Sequence, residues 1–449
     1  MLFTQATLAD GRVRDVRVAD GEIADVADAG ALDPEDGEAV VDAADEYLLP
    51  GAIDAHVHFR EPGFPHKEDW TTGSRSAAAG GVTTVVDQPN TDPTTTTGAA
   101  FDAKADLAAK SLVDYGLNGG VTADWDPESL FDRPLFALGE VFLADSTGDM
   151  GIEADLFADA VERAADHGVT VTVHAEDADL FDESVLPGST EHASGEGTDP
   201  RASATERDDA DAWSAFRTPE AEAAAVERAL EVGADSGADI HIAHTSTPEG
   251  VDAASDAGAT CEVTPHHLFL SREDLPDLGT LGRMNPPLRD EERREALMER
   301  VRDGTVDIVA TDHAPHTREE KDAGIWDAPS GVPGVETMLP LLLNEVREGR
   351  LGLERVRDLT AANPAGIFAL PRKGRIEVGR DADLVLVDLD DVREIRGDDL
   401  HSKCGWTPFE GFEGVFPSLT LVRGNVVYDG RDDGDSESFG DAVGRNVRD

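Results

Sequence analysis

Short apolar runs rich in β-branched residues alternate along most of the chain with longer stretches rich in Ala, Glu and Arg. Eight such runs follow one another, at 48–59, 81–90, 114–121, 136–143, 168–176, 238–246, 259–267 and 307–316. Helical patterns such as 151–167 and 217–234 lie between them. This alternation is typical of βα units with a parallel sheet, and eight units predict an α/β fold of the (β/α)8 barrel type.

The two ends of the chain have a different pattern. Residues 1–50 and 372–449 contain short strand-like runs and turns without long helical stretches. We predict that both ends form one small composite β-sandwich domain, and that residues 51–371 form the barrel. Segment 186–212 is rich in Gly, Ser and Asp, which predicts a loop, and it follows the fifth run, so it is expected near the barrel mouth.

The charge balance is strongly acidic, with 94 acidic and 38 basic residues and a formal net charge of −56. Such a polyanion repels nucleic acid and anionic membranes, so neither is expected as a partner. Only six of the basic residues are lysine. An acidic, lysine-poor chain that still has regular apolar strands is expected from a halophilic host, where the Debye length falls to about 3 Å at 1 M salt. The alternative, a disordered acidic protein, does not fit those strands.

The bulk features also favour a cytoplasmic protein. The sequence has no apolar run of membrane-spanning length and no signal-peptide pattern at its start. Its two cysteines, Cys261 and Cys404, are too few for a disulfide framework.

Histidines and acidic residues fall at the ends of the predicted strands. Alternate side chains of a strand share a face, so His56 and His58 should both point into the barrel mouth, with Arg60 beyond them. The fifth, sixth and eighth runs carry their own candidates near their ends: His174, His244 and Asp312. Barrel enzymes use this rim for chemistry, and imidazole with carboxylate suits zinc or a similar ion. The pattern therefore predicts a metal site.

Most of these residues lie in stretches that resemble the dihydroorotases of the amidohydrolase superfamily. The matching stretches are PGAIDAHVHFREPG (50–63), DQPNTDP (87–93), HIAHTS (241–246), EVTPHHL (262–268), MNPPLR (284–289), ATDHAPH (310–316), NPAGIFAL (363–370) and SKCGWTPFEG (402–411). They cover the chain almost end to end. The HxHxREPG form is the more specific one, because ATDHAPH is shared with allantoinases and hydantoinases.

The resemblance implies metal ligands and a general base. His56 and His58 would bind a first zinc ion, and His174 and His244 a second. Asp312 would contact the first ion and act as general base and general acid, with water activated by the metal as nucleophile.

The resemblance also implies a substrate site opposite the metals. Arg60, Asn90 and His316 would bind a carboxylate of the substrate. Asn285 would contact its ring, and Ser330 and Gly331 would supply backbone contacts to the ring amide.

One departure from the family concerns the bridge between the metals. Many relatives use a carboxylated lysine on the fourth strand, but this chain has no lysine between Lys110 and Lys321. Glu140 stands where that lysine would be, and Asp145 is a second candidate. The sequence favours Glu140 and leaves open whether one or two zinc ions are bound.

The activity implied by the resemblance is the reversible cyclisation of N-carbamoyl-L-aspartate to L-dihydroorotate, in pyrimidine biosynthesis. A first alternative is an allantoinase or hydantoinase, whose simpler substrates lack the carboxylate that Arg60 would bind. A second alternative is an inactive homologue that acts as a scaffold. The partner is a small-molecule substrate for the dihydroorotase interpretation and for the first alternative. The sequence leaves open a homodimer and an association with aspartate carbamoyltransferase.

Overall fold

The computed structural model describes residues 1–144, 150–187, 208–431 and 437–449. Five strands precede the barrel: β1 (Leu2–Thr7), β2 (Val13–Ala19), β3 (Glu22–Asp28), β4 (Val40–Asp42) and β5 (Tyr47–Pro50). β1 and β2 pair antiparallel, as do β2 and β3, whereas β4 and β5 each run parallel to β1.

Eight short parallel strands then build the barrel. They are β6 (Ala52–Val57), β7 (Val82–Asp87), β8 (Asp114–Leu117), β9 (Leu138–Phe142), β10 (Val171–His174), β11 (Ile240–Ile242), β12 (Thr260–Val263) and β13 (Ile308–Val309). They form a three-stranded sheet, β6-β7-β8, and a five-stranded sheet, β13-β12-β11-β10-β9. Isolated parallel bridges between Gly119 and Leu138 and between Val57 and His313 join the edges of these sheets. The predicted barrel fold is confirmed, with each strand shorter than its apolar run.

Helices lie between and after the barrel strands. They are α1 (Trp70–Ala79), α2 (Gly98–Ala108), α3 (Pro127–Phe131), α4 (Ala154–His167), α5 (Ala212–Phe216), α6 (Pro219–Ser236), α7 (Pro248–Ala257), α8 (Pro265–Phe269), α9 (Leu275–Leu278), α10 (Glu291–Asp303), α11 (Arg318–Lys321), α12 (Met338–Arg347), α13 (Leu353–Arg357) and α14 (Asn363–Ile367). Capping residues set the ends of α6. Thr218 caps its first turn, which begins with Pro219, and Gly237 in the left-handed region caps its end after Ser236.

The chain returns from the barrel to the first sheet. Its last strands are β14 (Leu384–Val387), β15 (Val392–Glu394), β16 (Glu413–Val415), β17 (Leu419–Val422), β18 (Asn425–Asp429) and β19 (Ser438–Phe439). The hydrogen-bonded order is β19-β18-β17-β14-β5-β1-β2-β3, with β4 beside β1, so both ends of the chain share one sheet. Phe3, Leu48, Leu384 and Leu421 belong to its own apolar core.

A buried ion-pair network links this sheet to the barrel. Lys373 Nζ lies 2.8 Å from Asp114 Oδ2 at the start of β8, and it also contacts Asp383 just before β14. Arg423, which follows β17, contacts Asp114 as well. Across the described ranges, every helix is too short or too polar to cross a bilayer.

Candidate active site

The carboxyl ends of the barrel strands bring four histidines and two carboxylates together. His56 and His58 come from the end of β6, and Asp312 follows β13. His58 Nε2 lies 2.9 Å from Asp312 Oδ1, and His56 Nε2 lies 3.6 Å from the same oxygen. All three side chains are buried. One carboxylate oxygen therefore faces two imidazole nitrogens at the mouth of the barrel.

Glu140, in the middle of β9, lies between two pairs of histidines. Its Oε1 is 2.8 Å from His174 Nδ1 and 2.7 Å from His244 Nε2. Its Oε2 is 3.1 Å from His56 Nε2 and 4.0 Å from His58 Nε2. Each oxygen of one carboxylate thus faces a different histidine pair. This is the geometry that a carboxylate needs to join two cation sites.

The position of Glu140 depends on its neighbours in the barrel. Its backbone N–H donates to Gln88 Oε1 at 2.9 Å, and the same oxygen accepts from Asn118 Nδ2 at 3.0 Å. Gly139 has φ +136°, and a Cβ there would collide with the carbonyl oxygen and hydroxyl of Thr172. Glycine tolerates this backbone conformation and close approach, and larger residues do not. The chain path at 139–140 is therefore fixed by a glycine and by the Gln88 amide.

Two further carboxylates orient the histidines from behind. Glu262 Oε1 lies 2.6 Å from His56 Nδ1, which leaves His56 Nε2 for the centre of the site. Glu176 Oε2 lies 2.9 Å from His174 Nε2, which leaves Nδ1 facing Glu140, and Arg217 pairs with Glu176. Carboxylates of this kind fix the tautomer and the direction of metal-binding histidines. Neither of these two carboxylates was predicted from the sequence.

The electrostatics of this cluster favour positive charge. Burial lowers the pKa of His56, but the Glu140 and Glu262 carboxylates outweigh it and raise that pKa well above the usual value. For His174 burial acts the same way, and Glu140 and Glu176 raise the pKa to about 9. Burial raises the pKa of Glu140, but His56 and His244 hold it well below its ordinary range. The carboxylates therefore stay ionised and attract cations.

The donor set fits a divalent metal ion. Two overlapping groups, His56–Glu140–His244 and His56–His58–Asp312, each bring their ligand atoms within 4.8 Å of one another. Imidazole nitrogen with carboxylate oxygen is the donor chemistry of zinc and related ions. These residues could therefore hold a metal ion.

A cavity borders the donor cluster, and its other side carries a guanidinium. Both the predicted metal ligands and the predicted substrate-binding residues contribute to its lining. The lining residues are His58, Arg60, Asn90, Glu140, Phe142, His244, Asn285, Asp312, Ala314, Ser330 and Gly331. Arg60 is 4% exposed. Its Nη2 lies 3.1 Å from His316 Nε2, and its Nε donates to the carbonyl oxygen of Pro315. His316 thus lies beside Arg60, behind the cavity wall.

Several contacts hold the cavity wall near Asn285 and Ser330. Trp213 Nε1 donates to Asn285 Oδ1 at 2.9 Å. Lys321 Nζ donates to the carbonyls of Arg283, Pro329 and Gly331 at 2.9 to 3.0 Å. Three carbonyls use all three N–H groups of the ammonium. The buried lysine therefore joins the segment before Asn285 to the loop that contains Ser330.

Three residues at the site have backbone conformations that side chains usually avoid. Arg60 has φ +62°, His244 has φ +32° and Asp312 has φ +47°. A left-handed non-glycine residue costs on the order of 1–2 kcal/mol, and such strain collects at functional positions. All three lie two or three residues after the ends of short barrel strands. The surrounding contacts hold them in these conformations.

Two expectations fall wholly or partly outside the described residues. Asp145, the second candidate for the bridge, lies outside them, as do residues 188–207 of the predicted loop 186–212. After this gap the chain enters α5, which carries Trp213 beside Asn285. Of the two bridge candidates, Glu140 is the one whose contacts with the histidines are described.

Comparison with known proteins agrees with this arrangement. Residues 47–427 match the amidohydrolase family. A dihydroorotase of Halobacterium salinarum is 68% identical over 449 residues, covering 100% of this chain and 99% of the relative. A dihydroorotase of Methanosarcina mazei is 45% identical over 406 residues, covering 87% and 85%. Among solved structures, the L-hydantoinase (dihydropyrimidinase) from Arthrobacter aurescens has a TM-score of 0.88 at 28% identity, covering 99% of this chain and 98% of that one.

Proposed function

The chain belongs to the amidohydrolase family, and from this premise we propose that it interconverts N-carbamoyl-L-aspartate and L-dihydroorotate. One observation carries the choice of substrate: the buried guanidinium of Arg60 shares a cavity with the histidine–carboxylate cluster. A planar guanidinium suits a carboxylate, and dihydroorotate carries a carboxylate on the ring that is opened. We place this activity in the cytoplasm of a halophilic cell, and we assign it to the barrel of residues 51–371.

The proposal assigns the donor cluster to two zinc ions. His56, His58 and Asp312 would hold one ion and His174 and His244 the other, with Glu140 as a ligand to both. When bound, such ions supply a Lewis acid for the ring carbonyl and make water a stronger acid at neutral pH. The contacts of Glu140 with both histidine pairs support this assignment over a single ion.

Asp312 is proposed as the residue that moves the proton. Burial raises its pKa, but His58 and His56 outweigh that effect and lower it, so the carboxylate is ionised and can accept a proton at neutral pH. In ring opening it would take the proton of the attacking water and deliver it to the departing amide nitrogen. Ring closure follows the same steps in reverse. Asp312 lines the cavity, so its carboxylate can reach the substrate.

The opposite wall is proposed to bind and orient the substrate. Arg60 would hold the carboxylate, with His316 behind it keeping the guanidinium in place. The Asn90 amide nitrogen would contact the carboxylate as well, since Asn90 Oδ1 already lies 2.7 Å from His58 Nδ1. Asn285 would contact the ring. Ser330 and Gly331 would offer backbone groups to the ring amide, because Gly331 lines the cavity and a Cβ there would collide with Ala314.

A hydantoinase activity is the second candidate, because the solved structures with similar folds include hydantoinases. Their sequence identity is well below that of the Halobacterium relative. A simple hydantoin also has no carboxylate for the buried Arg60 to bind. An inactive scaffold is less well supported, since all six proposed metal ligands are present and lie together.

The test is a comparison of substrates with purified protein in molar KCl with zinc. We expect ring opening of dihydroorotate with kcat/KM about ten- to a hundredfold above that of hydantoin or allantoin, since a lost charge-assisted hydrogen bond is worth about 1.5–3 kcal/mol. Faster turnover of hydantoin would favour the second candidate. Bound zinc without turnover of any of these would favour a scaffold.

A further inference from the structure

Arg283 is a buried arginine whose side chain lacks the usual acceptors. It is 9% exposed, and its Nε and Nη1 atoms are buried with no hydrogen-bond partner among the described parts of the chain. Buried guanidinium groups normally use their N–H donors, because an unpaired buried charge is unfavourable. Unused donors in a fixed position therefore point to a group that binds them.

Other buried arginines near the site differ from Arg283 in this respect. Arg217 pairs with Glu176, and Arg289 contacts Ser246, the Arg217 carbonyl and Glu222. Arg60 contacts the Pro315 carbonyl and His316.

The guanidinium of Arg283 is held in place beside the cavity. It stacks on the Trp213 ring at 3.8 Å from the ring centroid, and Trp213 Nε1 bonds to the cavity residue Asn285. The carbonyl oxygen of Arg283 accepts from Gly331 N–H at 3.0 Å and from Lys321. Both its backbone and its side chain are thus fixed next to Asn285 and Gly331, which line the cavity.

The charge around Arg283 also favours an anion. Burial, followed by the nearby Arg217, lowers the pKa of Arg283 to about 10, so it is protonated at neutral pH. Burial lowers the pKa of Lys321 well below its usual value, and the nearby Arg283 and Arg60 lower it further. Arg60 and Arg283 therefore bring two guanidinium groups to this side of the cavity in a chain with a net charge of −56. A local positive region of this kind attracts anions against the overall field.

We infer that Arg283 is a second carboxylate-binding residue, which captures the acyclic dicarboxylate substrate beside the cavity residues Asn285 and Gly331. This inference rests on the proposed function. The acyclic compound has two carboxylates and the cyclic one has a single carboxylate, so a second cation in addition to Arg60 favours the acyclic form. The carboxylate that becomes the ring carbonyl would leave Arg283 before ring closure, so Arg283 stabilises the bound acyclic form and does not contact the transition state.

The test compares Arg283→Met with the wild type in both directions of the reaction, in molar KCl. We expect KM for N-carbamoyl-L-aspartate and kcat for ring closure to rise together by about tenfold, which is one charge-assisted hydrogen bond. KM and kcat for ring opening of dihydroorotate should change less than about threefold, because the equilibrium constant of the reaction fixes the ratio of the two kcat/KM values. Arg283→Lys, which keeps the charge, should restore much of the difference. Arg133→Met removes a partly exposed arginine that pairs with Asp102 outside the site, and it should change neither KM. Arg283→Gln replaces Arg283→Met if the latter loses its cooperative melting transition.

The outcomes separate the possible failures. Equal increases of KM for both substrates would mean that Arg283 only supports Trp213 and Asn285, and would overturn the capture role. An unchanged KM for the acyclic substrate would also overturn it. A wild-type protein inactive on both compounds would overturn the proposed function itself.

Discussion

The two walls of the cavity differ in electrostatic character, and a comparison of His174 with His316 shows the difference. His174 belongs to the donor wall, which comprises His56, His58, Glu140, His174, His244 and Asp312, and His316 lies behind Arg60 on the other wall. On the donor wall the pKa of His174 rises to about 9 against the effect of burial, because Glu140 and Glu176 contact its ring. On the other wall burial, together with Arg60 and Lys67, lowers the pKa of His316 well below the usual value. Equally buried histidines thus have opposite shifts.

This contrast explains how one cavity can bind a cation and an anion within a short distance. The donor wall holds carboxylates in excess and attracts metal ions. The other wall holds guanidinium and ammonium groups in excess and attracts a carboxylate. A substrate with an electrophilic carbonyl at one end and a carboxylate at the other fits between them in one orientation. The following changes are ways to weaken one wall and leave the other intact.

The largest effect is expected from Asp312→Asn on the donor wall. The amide cannot accept a proton, so kcat should fall by on the order of 10³–10⁴, the upper part of the range for general acid–base catalysis. Steady-state kinetics and a melting curve check this. The melting transition should persist, and a kcat within tenfold of wild type would contradict the role of Asp312.

Glu140→Gln should lower metal content before it affects folding. The amide keeps the shape of the side chain but removes the charge between the histidine pairs, so affinity for the second zinc ion should fall about a hundredfold or more. Elemental analysis after dialysis should give one zinc per chain for the variant and two for the wild type. Glu231→Gln, on the exposed face of α6, is the matched control. Two tightly bound ions in Glu140→Gln would show that Glu140 does not bridge them.

Arg60→Met acts on the other wall. Loss of the guanidinium should raise KM for dihydroorotate by about ten- to a hundredfold, with a smaller change in kcat, because it removes a charge-assisted contact with the carboxylate. Zinc content should stay at the wild-type level. A variant that loses zinc but keeps KM would place Arg60 with the metal ligands.

The His56 and His174 rings should release protons when the donor wall binds metal. In the metal-free protein the raised pKa values of His56 and His174 keep these rings protonated at neutral pH, and protons compete with metal for them. Apparent zinc affinity should therefore rise with pH, about tenfold per unit for each proton released, with a shallower slope once the pH passes the His174 pKa of about 9. Titrations between pH 6 and pH 9 in two buffers, with proton release measured by calorimetry, check the sign. An affinity independent of pH would contradict the raised pKa values.

The smallest effect is expected from Gln88→Leu. This change removes the acceptor for the Glu140 N–H without altering a proposed ligand, so affinity for the second zinc ion should fall about tenfold. Gln88→Glu retains an acceptor and should recover part of the affinity. Equal zinc affinity for Gln88→Leu and the wild type would mean that Gly139 and the strand alone fix Glu140.

The sequence predicts the donor wall better than the other wall. His56 and His58 follow from strand alternation, and His174, His244 and Asp312 stand out because each comes at or near the end of an apolar run. The barrel fixes where those ends meet, so residues far apart in sequence could be predicted to converge. The eight strands themselves were predicted from the apolar runs.

What the sequence could not give depends on contacts within the folded chain. Glu262 and Gln88 lie in or beside apolar strands, and a single polar residue there was the only signal of their roles. Trp213 and Arg283 lie in segments without a periodic pattern, and their stacking depends on how α5 packs against the segment before Asn285. Gly139 could not be distinguished from other glycines until its φ and its closeness to Thr172 were known.

The most direct test of the account is an anomalous-diffraction structure of the zinc-loaded protein. The account predicts two peaks, one beside His56 and His58 near Glu140 Oε2 and one between His174 and His244 near Glu140 Oε1. A single peak among His56, His58 and Asp312, with Glu140 bound to no ion, would contradict it.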